Sequence, residues 1–144
     1  DPATAAQQLG VDDVISLGRE KKFSWGDNDC FTFINAIHEA LKGEPIDRDW
    51  ASGKYQTAYQ AKKYYLHLIK KTGIENIVLG IDSKLQRLDC LCPRRGSIVA
   101  RRASGTDVLG YSFGVVISDK CAFLGESGLE FLPVSRGDLF WSVE

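Results

Sequence analysis

The sequence predicts an α+β domain, with N-terminal helices packed on a small antiparallel sheet, and three observations support this. At 144 residues, with 44% hydrophobic and 26% charged residues, the chain suits one folded domain with a sizeable core. Apolar residues recur at helical spacing as far as about residue 80. From about residue 96, short β-rich runs alternate with turn-forming residues. A single domain over residues 1–144 follows, helical over about 11–80 and built of antiparallel strands over about 96–143.

The first expected helix spans Val11 to Lys22, with Val14, Ile15 and Leu17 able to face a core and Arg19, Lys21 and Lys22 near its end. Phe23-Ser24-Trp25-Gly26 turns the chain. The strongest helical pattern runs from about Cys30 to Lys42, where Cys30, Phe33, Ile34, Ile37 and Leu41 form one apolar stripe. Asp27, Asn28 and Asp29 are its N-cap candidates, and Gly43 stops it. After a connection carrying Trp50, a helix is expected from about Thr57 to Lys71, and a short one over Ile74 to Leu79 closed by Gly80. Ser97 to Ala100, Tyr111 to Ser118, Ala122 to Leu124, Leu129 to Val134 and Phe140 to Val143 read as strands of an antiparallel meander. Ser104 to Asp107, Asp119-Lys120 and Glu126 to Gly128 read as the turns between them.

Composition narrows the function. A net charge of -1 leaves no basic footprint for nucleic acid. No apolar run is long enough for a membrane span, and the start lacks the pattern of a secretory signal. The chain contains no Met and is expected to begin downstream of its initiator. Its four cysteines, Cys30, Cys90, Cys92 and Cys121, lack disulfide-scaffold spacing and are expected to be reduced. Cys90 and Cys92 form a C-x-C pair, but both histidines, His38 and His67, fall inside expected helices. No metal site and no cofactor are therefore expected.

The chemistry of interest begins at Cys30. A cysteine in the first turn of a helix meets unpaired backbone N–H groups and the positive end of the helix dipole, both of which favour the nucleophilic thiolate. Asp27 and Asp29 would oppose this if they faced the sulfur. A thiol hydrolase also needs an imidazole within hydrogen-bond reach. His38, eight residues on along the same helix, lies about 12 Å away along its axis. His67 remains as a base candidate on the next long helix. The hydroxyls of Tyr111 and Ser112 could lie near the thiol but are no substitute for imidazole near neutral pH. Trp25, Asp29 and Tyr111 are candidate binding residues.

Phe23-x-Trp25-Gly26-x-x-Asp29-Cys30 resembles the entry motif of the NlpC-type papain-like cell-wall peptidases. In order after it come Gly96-Ser97-Ile98-Val99, Phe113-Gly114-Val115-Val116, Gly128-Leu129 and Trp141, as in a phage- and prophage-encoded branch of unknown function. The resemblance covers about residues 11 to 144 and implies a papain-like fold with Cys30 at the nucleophile position. Active members carry the base two residues before the strand glycine, where this chain has Ser112, and Ser97 replaces their usual Asp.

The resemblance therefore implies a catalytically degenerate domain acting as a structural or binding module in a phage virion, at the distal tail. Its partners would be other tail proteins, and it would reside in the virion tail, or in the bacterial cytoplasm before assembly. The alternative is an active hydrolase of peptidoglycan peptides, with Cys30 as nucleophile and His67 or a nonstandard base. A cytoplasmic module that binds a host protein is the third reading.

Overall fold

In the computed structural model, residues 10, 12–16, 19, 22–50, 54–73, 76–89, 93–103, 110–125 and 128–143 are described. Residues 12–16 are helical, within the first expected helix, with Ile15 buried and Val14 packed against the core. Val11 and Leu17 lie outside the described residues, and Lys22 is no longer helical. Arg95 fastens this segment to the sheet by pairing with Asp12 while donating to the Ile117 carbonyl at 3.1 Å.

Helix α1 (Cys30–Lys42) begins where Asp29 caps it and ends at Gly43, whose φ of 85° is the left-handed conformation glycine adopts without a Cβ penalty. The expected stripe is buried at Cys30, Phe33, Ile34 and Ile37 and half-buried at Leu41. Phe31, Asn35 and His38 are buried as well, so α1 is covered on more than one side. Helix α2 (Ala58–Lys71), capped by Thr57, turns Ala61, Tyr65 and Ile69 inward.

Helix α3 spans Ile77–Asp82 rather than ending at Gly80. Asn76 accepts the Leu79 amide at 3.0 Å, which fixes the start, and Gly80 continues the helix by donating to the Asn76 carbonyl. Ile74 lies outside the described residues, as do Cys90, Cys92 and the Ser104 to Asp107 turn.

The strands are β1 (Gln86–Leu88), β2 (Ile98–Arg102), β3 (Tyr111–Val116), β4 (Lys120–Gly125), β5 (Gly128–Pro133) and β6 (Leu139–Ser142). They form one antiparallel sheet in the order β1-β6-β2-β3-β4-β5. Strands β2 to β5 are the expected meander. The last strand departs from it, returning across the sheet to lie between β2 and β1, a short strand with no alternating pattern to betray it.

Alternation gives the sheet two faces. One carries Ile98, Ala100, Phe113, Val115, Ala122, Leu124 and Trp141, which join the helices in the main core. The Phe31 and Phe113 rings meet across this layer at 5.1 Å. The other face carries a smaller cluster of Val99, Val116, Cys121, Phe123 and Phe140. Arg101 spans that second face, with a two-pronged bond to the buried Asp138 carboxylate at 2.9 and 2.7 Å and its guanidinium over the Phe123 ring. On the helix side, Asp82 at the end of α3 accepts from Arg87 on β1 and from the Trp141 indole on β6, tying three elements together.

Candidate functional site

The turn before α1 is shaped by Gly26, whose φ of 82° suits glycine and aims its N–H at the coming helix. Ser24 and Asn28 bridge across it, and Asn28 holds the Lys22 carbonyl at 3.0 Å. Asp29, with no exposed surface, becomes the cap. Its Oδ1 accepts the Phe31 and Thr32 amides, both at 3.0 Å, and Thr32 Oγ1 in return accepts the Asp29 amide at 2.8 Å. This is a capping box with Thr32 in the reciprocal role.

The other carboxylate oxygen faces inward. Asp29 Oδ2 accepts the Gly26 amide at 2.8 Å and the Tyr55 hydroxyl at 2.6 Å. The Tyr55 and Tyr65 hydroxyls lie 2.8 Å apart. Because Tyr55 spends its one O–H on the carboxylate, Tyr65 must donate to Tyr55, and the chain runs Tyr65 to Tyr55 to Asp29. Burial first, then the Asp29 charge and hydrogen bond, push the Tyr55 phenol well above its ordinary range. Burial and Tyr55 do the same to Tyr65. Both phenols are fixed donors at any physiological pH.

Cys30 lies beside this network. It is a reduced cysteine, 8% exposed, in the first turn of α1. Its sulfur is close enough that a thiolate there would raise both phenols further. Asp29 spends its charge on the cap and on Tyr55. Its expected capping role holds, and Asp27 is left exposed on the turn.

The other site candidates are not drawn together. Ser112 pairs with Arg101 across β2 and β3, and Arg101 stacks on Phe123, so Ser112 lies on the sheet face turned away from the helices. From this strand, Tyr111 and Phe113 face the helix side instead, and the Phe113 ring touches Phe31. His67 is exposed, two residues on from the inward-facing Tyr65 and therefore nearly opposite it around α2. Buried His38 binds the Glu44 carbonyl through Nδ1 at 2.6 Å. Trp25 is half-buried against Phe23, whereas Trp50 and Trp141 are core residues. Among the described residues, no group of three or more His, Cys, Asp or Glu side chains is placed to hold a metal ion.

Tyr55 and Tyr65 were the residues that sequence reasoning missed. Tyr65 was accessible, because Ala61, Tyr65 and Ile69 recur every four residues and a buried phenol needs a partner. Tyr55 sits on a connection 26 residues from Asp29 and carries no local signal.

Fold and site define an α+β domain whose helix α1 carries a cysteine at a fully bonded aspartate cap. The chain belongs to the family described as Domain of unknown function (DUF6950), whose model matches residues 6–143. Comparison with curated proteins and with solved structures gives no match.

Proposed function

We propose that the chain is a catalytically degenerate papain-like domain of the NlpC type, acting as a structural or binding module in a phage virion, at the distal tail. The observation supporting the loss of catalysis is the placement of the chain's two histidines, His38 buried on the Glu44 carbonyl and His67 exposed on the side of α2 away from Tyr65. The phenols beside Cys30 are committed donors, and the strand facing α1 offers Tyr111 and Phe113 but no imidazole. A hydrolase would need a base there to take the thiol proton and return it to the leaving amine. The virion assignment rests on the resemblance of the Trp25 to Cys30 entry motif and of the motifs that follow it.

The position of Cys30 in the first turn of a capped helix favours the second reading, a thiol hydrolase acting on peptidoglycan peptides. Zymography on peptidoglycan with the wild type and Cys30→Ala separates the two. The expected result is no clearing by either protein. Clearing by the wild type that Cys30→Ala abolishes would establish the hydrolase instead. Mass spectrometry of purified virions is expected to find the chain, and its absence there would remove the tail assignment.

A further inference from the structure

On the helix side of the sheet, between the start of α3 and the adjoining ends of β2 and β3, lies a recess of about 560 Å³. Asn76, Arg87, Arg102 and Tyr111 give it polar groups, and Val78, Leu79 and Leu139 give it an apolar wall. No Asp or Glu is among the described residues that line it. Arg102 and Tyr111 are directly opposed across β2 and β3, so their side chains project from the same face.

Arg102 is exposed and, among the described residues, makes neither an ion pair nor a hydrogen bond. The Tyr111 hydroxyl and the Asn76 amide nitrogen likewise have no hydrogen-bond acceptor there, since Asn76 spends only its oxygen on the α3 cap. The Arg87 charge is balanced by its two-pronged bond to Asp82, and Asp89 acts on it as well. Among the described lining residues, Arg102 is thus a cation without an ion pair, set among hydrogen-bond donors, unlike the Arg101–Asp138 pair on the opposite face, which is closed on itself.

We propose that this recess binds an anionic group, a carboxylate or phosphate, carried on a small apolar body. Arg102 would make the principal ion pair, Tyr111 and Asn76 would donate to the anion, and Leu79, 41% exposed, would cover the apolar part with Val78 and Leu139. The inference does not depend on what Cys30 does, because Cys30 is not among the lining residues.

The test is a titration of the full chain followed by amide chemical shifts in NMR. The probes are N-acetyl-leucine, its uncharged amide N-acetyl-leucinamide, and inorganic phosphate. N-acetyl-leucine is expected to shift the amides of Arg102, Tyr111 and Leu139, and N-acetyl-leucinamide is not. Phosphate shifting the same amides as strongly would support the anion site and assign phosphate as its group. Arg102→Gln, on an exposed side chain, is expected to weaken binding about tenfold, and Tyr111→Phe several-fold, with the fold intact. The inference is overturned if neither anion moves these amides at the solubility limit of the probe, if N-acetyl-leucinamide binds as well as the acid, or if Arg102→Gln binds as the wild type does.

Discussion

At Asp29, one buried carboxylate satisfies four donors, which gives the residue a measurable weight. Asp29→Ala would strand the buried Gly26 and Phe31 amides and Tyr55 hydroxyl, and free the part-buried Thr32 amide. A loss of about 3–5 kcal/mol is expected, read from the shift in the urea midpoint. Tyr55→Phe is milder. It leaves Asp29 Oδ2 with the Gly26 amide alone and Tyr65 without an acceptor, for about 1–3 kcal/mol. Should Tyr55→Phe cost nothing, the directional chain of hydroxyls is not holding the site together. The cap was legible in the sequence because it is local: an acidic residue immediately before an apolar helical stripe. Its inner partners were not, because a hydrogen bond between a loop tyrosine and a distant carboxylate leaves no periodicity to read.

Among the elements, Asn35 shows how a helix secures a loop. Its amide donates to the Asp47 and Trp50 carbonyls at 2.9 and 2.6 Å, and its oxygen accepts the Ile46 amide at 2.9 Å. The connection after α1 is thereby pinned, and Trp50 is set edge-on to Phe31. Gly114 plays the matching part in the sheet. A Cβ there would come within 2.3 Å of the Ala122 carbonyl oxygen and 2.9 Å of the Phe123 ring. Gly114→Ala is expected to cost about 3 kcal/mol, because β3 and β4 must part to admit it. A thermal midpoint equal to the wild type would refute that close approach. Strands β2 to β5 were readable from β-branched and aromatic runs between turns. Strand β1 was not, since Gln86-Arg87-Leu88 is extended because β6 lies beside it and Arg87 is tethered to Asp82, both consequences of tertiary placement. The boundary at Gly80 failed for a similar reason. Glycine often stops a helix, but here the Asn76 cap moved the start forward and left Gly80 inside.

For the whole molecule, alkaline pH tests the integrity of both cores. Burial pushes the Cys121 thiol up to about 11, and the Tyr55 and Tyr65 phenols are raised by burial and by their hydrogen-bonded neighbours. Each group holds its proton more firmly when folded. Their stabilisation is complete below the ordinary values, about 8.5 for a thiol and about 10 for a phenol, and is lost as pH rises through the folded ones. Calorimetry from neutral to alkaline pH should show a midpoint that begins to fall near the ordinary thiol value and drops faster beyond the phenol value. Cys121→Ala should flatten the early part of that decline and Tyr55→Phe the later part. A midpoint that stays level would mean these groups are hydrated.

The placement of β6 affects how the chain is made as well as how it stands. Residues 139–142 are among the last in the sequence, yet they sit inside the sheet between β2 and β1, with Trp141 fully buried. On the ribosome, β1 would emerge with no strand to join, and one edge of β2 would stay open until residues 139–142 had followed it. Completion of the sheet thus waits for β6, and the nascent chain must shield that open edge between the emergence of residue 102 and that of residue 139.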